Sequence, residues 1–367
     1  MSIFLTSINQ IAYSTRVCLY GVGEGCLHFY NTLQTLRPDV SIVCLVDDSH
    51  KLITVNIPVI DPAELSAFDY DMVIVTSAYW VDIYNKLEAI GNIKYIIAEA
   101  SLLYNNLIFS KNEITKYKNQ LCKAQELLSN STHKILYNLI VNSRLTTPEN
   151  QQRLYNYFHD NRTIIGREYL EFINIDSLHT IVEGGVFDGT DTREFAKLVP
   201  EGGSVFGFDP NLTLWDNYFP TSIDKKIKLS SKALWSERTN LDFFPNTNNR
   251  MGARVVVNEE VVDEVCPVQA ISIDEFVLEQ KISTVDFIKL DIEGSELDAL
   301  RGSINTLRNH RPQMAICIYH KKEDLFQIPL FLDSILNNYK YYLGHYSPTF
   351  WDTVWYAVPD EIAYLNR

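Results

Sequence analysis

Apolar residues run in short blocks along this chain, and one block organises the rest. It is Thr180-Ile-Val-Glu-Gly-Gly-Val-Phe-Asp-Gly189, followed by a second apolar block, Ser204-Val-Phe-Gly-Phe-Asp-Pro210. The first block ends in an acid and a glycine-rich turn, and Thr190 to Ala196 then opens a helix. The pattern predicts strand, loop, helix and strand. In an open parallel sheet, ligands lie beyond the carboxyl ends of the strands, where strand order reverses. Glu183 and Asp209 would both point there. Gly185 and Gly189 let the backbone approach a ligand closely, and Asp191 with Glu194 reads as a capping box that starts the helix.

The same pattern occurs nearer the N-terminus. Arg16-Val-Cys-Leu-Tyr20 predicts a strand, Gly21-Val-Gly-Glu-Gly-Cys26 a loop, a helix runs to about Leu36, and Ser41-Ile-Val-Cys-Leu-Val-Asp47 is a second strand ending in an acid. Gly21 and Asp47 are 26 positions apart, as are Glu183 and Asp209, so two nucleotide-type α/β domains are expected in tandem. The first loop departs from the GxGxxG fingerprint at its last glycine, where Cys26 stands. Asn56 to Leu65 reads as a loop and helix start, and Tyr70-Asp-Met-Val-Ile-Val-Thr-Ser77 as a buried strand. This part, about residues 14–100, resembles the small Rossmann-like domains of bacterial enzymes that modify nucleotide sugars and surface polysaccharides. A module that binds a nucleotide and one that has lost it both fit the loop.

Residues 105–175 change character. Leu121, Leu127, Leu128, Ile135, Leu136, Leu139 and Ile140 recur at helical spacing among polar residues, which predicts a helical connector or cover. Tyr137, Tyr155, Tyr157 and Tyr169 read chiefly as packing residues, with a lid role open for one of them. The expected division is therefore 1–104, 105–175 and 176–367. Lys228 to Trp235 predicts a third strand and its turn. Leu241 to Phe244 and Val268 to Ile273 predict short strands at the sheet edge, joined by a polar loop, Asn246 to Gly252, able to reach over the site.

A second informative block is Val285-Asp-Phe-Ile-Lys-Leu-Asp-Ile-Glu-Gly-Ser-Glu296. It predicts a buried strand that ends at Asp291 and a helix after Gly294-Ser295. A lysine inside such a strand is costly unless paired, so Lys289 either reaches the strand end or is held by Asp291 or Glu293. Gln313-Met-Ala-Ile-Cys-Ile-Tyr-His320 predicts a neighbouring strand, which brings His320 beside Asp291 and Glu293. An imidazole's ordinary pKa suits proton abstraction near neutrality.

Composition narrows the chemistry. The 367 residues are 46% hydrophobic and 21% charged, enough for two domains with their own cores. A net charge of −14 offers no footprint for nucleic acid or an anionic membrane. Six scattered cysteines without a CxxC pair suit a reducing compartment, and no run is long enough to span a bilayer, so a cytoplasmic location is expected. Two carboxylates and no base in the 183–189 loop argue against a bare phosphate there. A nucleoside with a cationic tail fits better, Asp209 accepting from ribose hydroxyls and Glu183 facing the cation; S-adenosyl-L-methionine has both features, and any doubly wound nucleotide domain is the alternative.

Ile288-Lys-Leu-Asp-Ile-Glu-Gly-Ser-Glu296, Ile271-Ser-Ile-Asp-Glu-Phe276, Tyr319-His-Lys-Lys-Glu-Asp-Leu325, Val182-Glu-Gly-Gly-Val-Phe-Asp-Gly189 and Phe206-Gly-Phe-Asp-Pro210 together resemble the FkbM family of S-adenosylmethionine-dependent methyltransferases, over roughly residues 150–358. The resemblance implies a seven-stranded α/β sheet with an antiparallel last hairpin, here Lys340 to His345 and Thr353 to Val358. It also implies methyl transfer to oxygen, commonly on a sugar, glycan or polyketide-like product, which with the first domain points to polysaccharide biosynthesis. Glu183 stands where an aspartate is more usual. The expected cofactor contacts are Glu183, Gly185, Asp188, Gly189, Asp209, Pro210, Ala233 and Asp291. His320 is the expected base, with Asp291 orienting it and Lys289 fixing the carboxylates. A competing version puts a divalent cation on Asp291, Glu293 and His320. Asp324 is an alternative partner for His320. Two other classes stay open: an NAD(P)-dependent nucleotide-sugar oxidoreductase using the first domain, and a non-catalytic binding protein on a methyltransferase fold. The expected partner is a small-molecule or glycan acceptor, and a homo-oligomer is left open.

Overall fold

The computed structural model describes residues 3–49, 55–145, 147–211, 224–245, 252–256 and 265–363. The chain divides into two compact units, the first made of Met1–Lys116, Leu139–Asp160 and Pro348–Phe350, the second of Tyr117–Asn138, Asn161–Ser347 and Trp351–Arg367. The stretch 105–175 is thus shared between them. Residues 246–251 of the loop expected over the site lie outside the described residues. All six cysteines are free thiols. Among the described residues no helix is long and apolar enough to cross a membrane.

In the first unit, strands β1 (Phe4–Leu5), β2 (Arg16–Tyr20), β3 (Ser41–Val46), β4 (Val59–Ile60), β5 (Met72–Val75) and β6 (Tyr95–Ala98) form a parallel sheet in the order β1-β6-β5-β2-β3-β4. Helix Glu24–Leu36 follows β2 and buries Cys26, Phe29 and Leu33 against it. These strands read as apolar runs because a parallel sheet is covered on both faces.

The second unit is built on β7 (Thr180–Gly184), β8 (Ser204–Phe208) and β9 (Ile227–Ser230). A separate small sheet holds β10 (Ala233–Leu234), β11 (Thr239–Phe244), β12 (Arg254–Val255) and β13 (Cys266–Ile271). The main sheet is completed by β14 (Phe287–Leu290), β15 (Gln313–Cys317), β16 (Tyr339–His345) and β17 (Thr353–Pro359). Its order is β16-β17-β15-β14-β7-β8-β9, with β17 antiparallel to both β15 and β16. This is the seven-stranded α/β sheet with an antiparallel hairpin that the family resemblance implies. The chain steps outward from β7 through β8 to β9 and returns on the other side of β7 at β14, so strand order reverses between β7 and β14. The segments expected at the edge of this sheet instead pair among themselves, in the order β10-β13-β11-β12. Phe243, Val255, Ala233 and Ala270 form a core of their own there.

Two local expectations change. Helix Thr190–Leu198 starts after Gly189, a left-handed residue at φ +72°, with the Asp188 carboxylate accepting from Thr190 N at 2.9 Å. Asp191 therefore falls inside the first turn rather than at the cap, and Glu194 pairs with Lys197 and Arg167. The equal spacing in the two units is also offset. Gly21 N donates to Val46 O at 2.9 Å, and Gly185 N donates to Phe208 O at 2.9 Å. Gly185, not Glu183, is the counterpart of Gly21.

Candidate functional site

A cavity of about 370 Å³ opens at the carboxyl ends of β7, β8 and β14, where strand order reverses. On the β7–β8 side it is lined by Gly185, Asp188, Asp209, Pro210 and Ala233; on the β14–β15 side by Asp291, Glu293, Tyr319 and Asp352. Lys289 and Tyr169 also reach it. Gly185 is bound to its place twice over: φ is +81°, and a Cβ would stand 1.8 Å from Asp291 O. Of the residues expected to touch a ligand, Glu183, Gly189 and His320 are not among the lining. Glu183 is fully buried, with Oε2 accepting from the Thr192 hydroxyl at 2.6 Å, and burial pushes its carboxyl up to about 7. It underlies the site rather than facing it.

Asp209 is nine-tenths buried, and its two oxygens accept from Phe187 N and Asn211 N, each at 2.9 Å. Burial raises its pKa, against the pull of these backbone donors. Lys289 is buried inside β14, as its place in the apolar run requires, and Nζ donates to Gly185 O at 2.7 Å. The ammonium also lies 3.9 Å from Asp291 Oδ2 and 4.8 Å from the centre of the Tyr169 ring. Burial alone would lower its pKa; Asp291, Glu183 and Asp191 outweigh that and raise it. Asp291 accepts from the Tyr169 hydroxyl at 2.8 Å through Oδ2 and from the Tyr319 hydroxyl at 3.2 Å through Oδ1. Burial opposes its charge, but Lys289 and His320 hold its pKa below the ordinary value.

His320 lies three residues past the end of β15, beneath the cavity edge, with its side chain 6% exposed. Its Nε2 is 3.4 Å from Asp291 Oδ1 and 3.5 Å from Glu293 Oε2, while Nδ1 is 2.9 Å from Glu296 Oε1. Asp324 instead accepts from Lys321 N at 3.0 Å.

Residues 183–343 match the family model described as the methyltransferase FkbM domain. This part of the chain is an FkbM methyltransferase domain. Residues 13–98 match a second model, described as C2185-like, N-terminal. A crystal structure of methyltransferase FkbM from Methylobacillus flagellatus KT is similar over 95% of this chain and 92% of that one, at 20% identity and a TM-score of 0.65, which speaks for the fold. The fibrillarin pre-rRNA processing protein of Methanococcus jannaschii is similar over 50% of this chain and 67% of that one, at 13% identity and a TM-score of 0.31, too distant to argue from. No curated protein matches the chain.

Within the FkbM domain His320, expected as the base, stands among acids. Burial would lower the imidazole's pKa, yet Glu296, Glu293 and Asp291 outweigh it and carry it up to about 10. Three carboxylates around one ring favour its protonated form. Sequence reading also passed over Glu168 and Asp352. Both line the cavity of the FkbM domain; burial, with help from Asp291, pushes Glu168 up to about 8 and Asp352 up to about 6. Glu168 stands beside Tyr169 in the stretch read as connector, and Asp352 on the turn between β16 and β17. The cavity carries Glu168, Asp188, Asp191, Asp209, Asp291, Glu293 and Asp352 against Lys289 and Arg254. That surplus of acid suits a cationic or neutral occupant and disfavours an anionic one. Asp291, Glu296 and His320 each offer a ligand atom to a metal ion within 4.8 Å of one another.

Proposed function

We propose that the FkbM domain transfers a methyl group from S-adenosyl-L-methionine to an acceptor hydroxyl, on a sugar or glycan. The observation that carries the reading is the acid-rich cavity at the reversal of strand order, with Asp209 fixed at the end of β8. When bound, this donor supplies a methyl group on a sulfonium, open to in-line displacement. Asp209, held by two backbone N–H groups, keeps lone pairs for ribose hydroxyls. Ala233 lies on the adenine side and the Gly185 turn beside the cationic tail. Lys289 pins that turn through Gly185 O, and Asp188 with Gly189 sets where the next helix begins. Glu183 stays beneath, tied to Thr192. A dinucleotide would bring two phosphates into the same acidic walls, which argues for the methyl donor over NAD in this cavity.

The acceptor belongs on the β14–β15–β17 side, away from Asp209. Asp352 is the base in this reading. It lines that side, and with a pKa of about 6 it is ionised at neutral pH yet more basic than an ordinary aspartate. His320, 3.4 Å away, orients Asp291. Replacing Asp352 by Asn is expected to lower kcat about 10²- to 10⁴-fold with donor affinity unchanged.

The reading is tested by titration calorimetry with S-adenosylhomocysteine and, separately, NAD. Saturable binding of the adenosyl ligand that weakens about tenfold or more in Asp209→Ala supports it. Binding of NAD with silence for S-adenosylhomocysteine would place the chemistry in the first unit and remove the proposal.

A further inference from the structure

The His320 cluster gathers three carboxylates around one buried ring. The side chain is 6% exposed and both ring nitrogens lack an aligned hydrogen bond, although three carboxylates stand within 3.5 Å. On the far side, Glu296 is wholly buried and fixed by Ile292 N at 2.8 Å and Gly294 N at 3.3 Å, and its Oε1 stands 2.9 Å from Nδ1. On the near side, Nε2 faces Asp291 Oδ1 at 3.4 Å and Glu293 Oε2 at 3.5 Å. Metal–ligand bonds of about 2.1 Å set ligand atoms roughly 3.0–3.4 Å apart, and the two distances from Nε2, 3.4 and 3.5 Å, are close to that. The Tyr169 hydroxyl and Lys289 occupy the Oδ2 side of Asp291, turning Oδ1 toward the ring. The Tyr319 hydroxyl donates to Oδ1 at 3.2 Å.

We propose that His320 Nε2, Asp291 Oδ1 and Glu293 Oε2 bind a divalent first-row transition metal ion. Glu296, behind Nδ1, is the second partner that fixes tautomer and ring orientation, as carboxylates do behind metal-bound histidines. One imidazole with two carboxylates suits Mn²⁺ or Zn²⁺ better than Mg²⁺ or Ca²⁺. Asp291 and Glu293 line the cavity, so the ion has open positions toward whatever binds there. Lowering the pKa of a bound hydroxyl would be its use in methyl transfer; that use rests on the proposed function, and the site does not.

The test takes full-length protein stripped with EDTA and titrates it with MnCl₂, following free Mn²⁺ by electron paramagnetic resonance, and with ZnCl₂ by calorimetry. One ion per chain is expected, lost in His320→Ala and Glu293→Gln and weakened about 10- to 100-fold in Glu296→Gln. Asp209→Ala should bind the ion as wild type does, so loss of S-adenosylhomocysteine binding and loss of metal binding are read separately. If His320→Ala does not fold by circular dichroism, Glu293→Gln carries the test, since its side chain is 32% exposed. No ion bound by folded wild type at millimolar metal, or equal binding in Glu293→Gln, overturns the proposal.

Discussion

Glu183 shows how far a residue's role depends on a few ångströms of depth. It is the last residue but one of β7, at the start of the ligand loop, yet its carboxyl is buried beneath the cavity against Thr192, and burial raises its pKa from 4.5 to about 7. Below pH 4.5 folded and unfolded chains both hold this proton. As pH rises the unfolded state releases it first, so stability is lost progressively between pH 4.5 and about 7, by on the order of 3 kcal/mol. Glu183→Gln keeps an acceptor for the Thr192 hydroxyl and removes the titration. Thermal melts across pH 4–8 should show a flatter profile for the variant and a higher Tm than wild type at pH 8; parallel profiles would mean that Glu183 stays ionised. Gly185 meets the opposite constraint. A Cβ there would need φ +81° and would stand 1.8 Å from Asp291 O, so Gly185→Ala should cost more than about 2 kcal/mol in chemical denaturation.

At the scale of elements, β14 is the strand on which the site hangs. Phe287, Ile288 and Leu290 are wholly buried between β7 and β15, and Lys289 is the one polar residue among them. Ile288→Ala should destabilise the second unit by about 2–5 kcal/mol through lost burial and the cavity left behind, measured by urea unfolding with an unchanged m value. Such strands were legible in the sequence because both faces are covered, so β7, β8, β14 and β15 appear as apolar runs ending in chemistry-bearing residues. Lys289 was legible for the same reason: an ammonium in that run had to be paired. The small sheet was legible in part: β11 and β13 were expected as short strands, whereas β10 and β12 are two residues long and carry no period. Nor were Glu168 and Asp352, which lie outside the strands' apolar pattern and enter the site only through the fold. The His320 environment was half legible. Its meeting with Asp291 and Glu293 follows from adjacent parallel strands, but Glu296 on its other nitrogen depends on the turn through Glu293, at φ +53°.

At the scale of the whole molecule, the two units use one hydrogen-bonding device twice. Asp47 takes Val22 N on one oxygen and Ser49 N on the other, each at 2.9 Å, just as Asp209 takes Phe187 N and Asn211 N. An acid at the end of a second strand is therefore first a brace for the preceding loop, and only by its surroundings a ligand group. In the first unit that loop is tightly filled: a Cβ on Gly25 would meet the Tyr104 ring at 2.6 Å, and one on Gly21 would meet Ser77 Cβ at 2.6 Å. Glu24 also places a negative charge in the first turn of the helix where a pyrophosphate would need the field. The acidic cavity with room for a nucleoside lies in the second unit. The device and the function should then separate under mutation. Asp47→Ala is expected to lower Tm, leaving S-adenosylhomocysteine affinity within about twofold of wild type, whereas Asp209→Ala should lower both. If Asp47→Ala abolishes adenosyl binding in a folded protein, the first unit takes part in the donor site, and the resemblance between the two loops is functional as well as architectural.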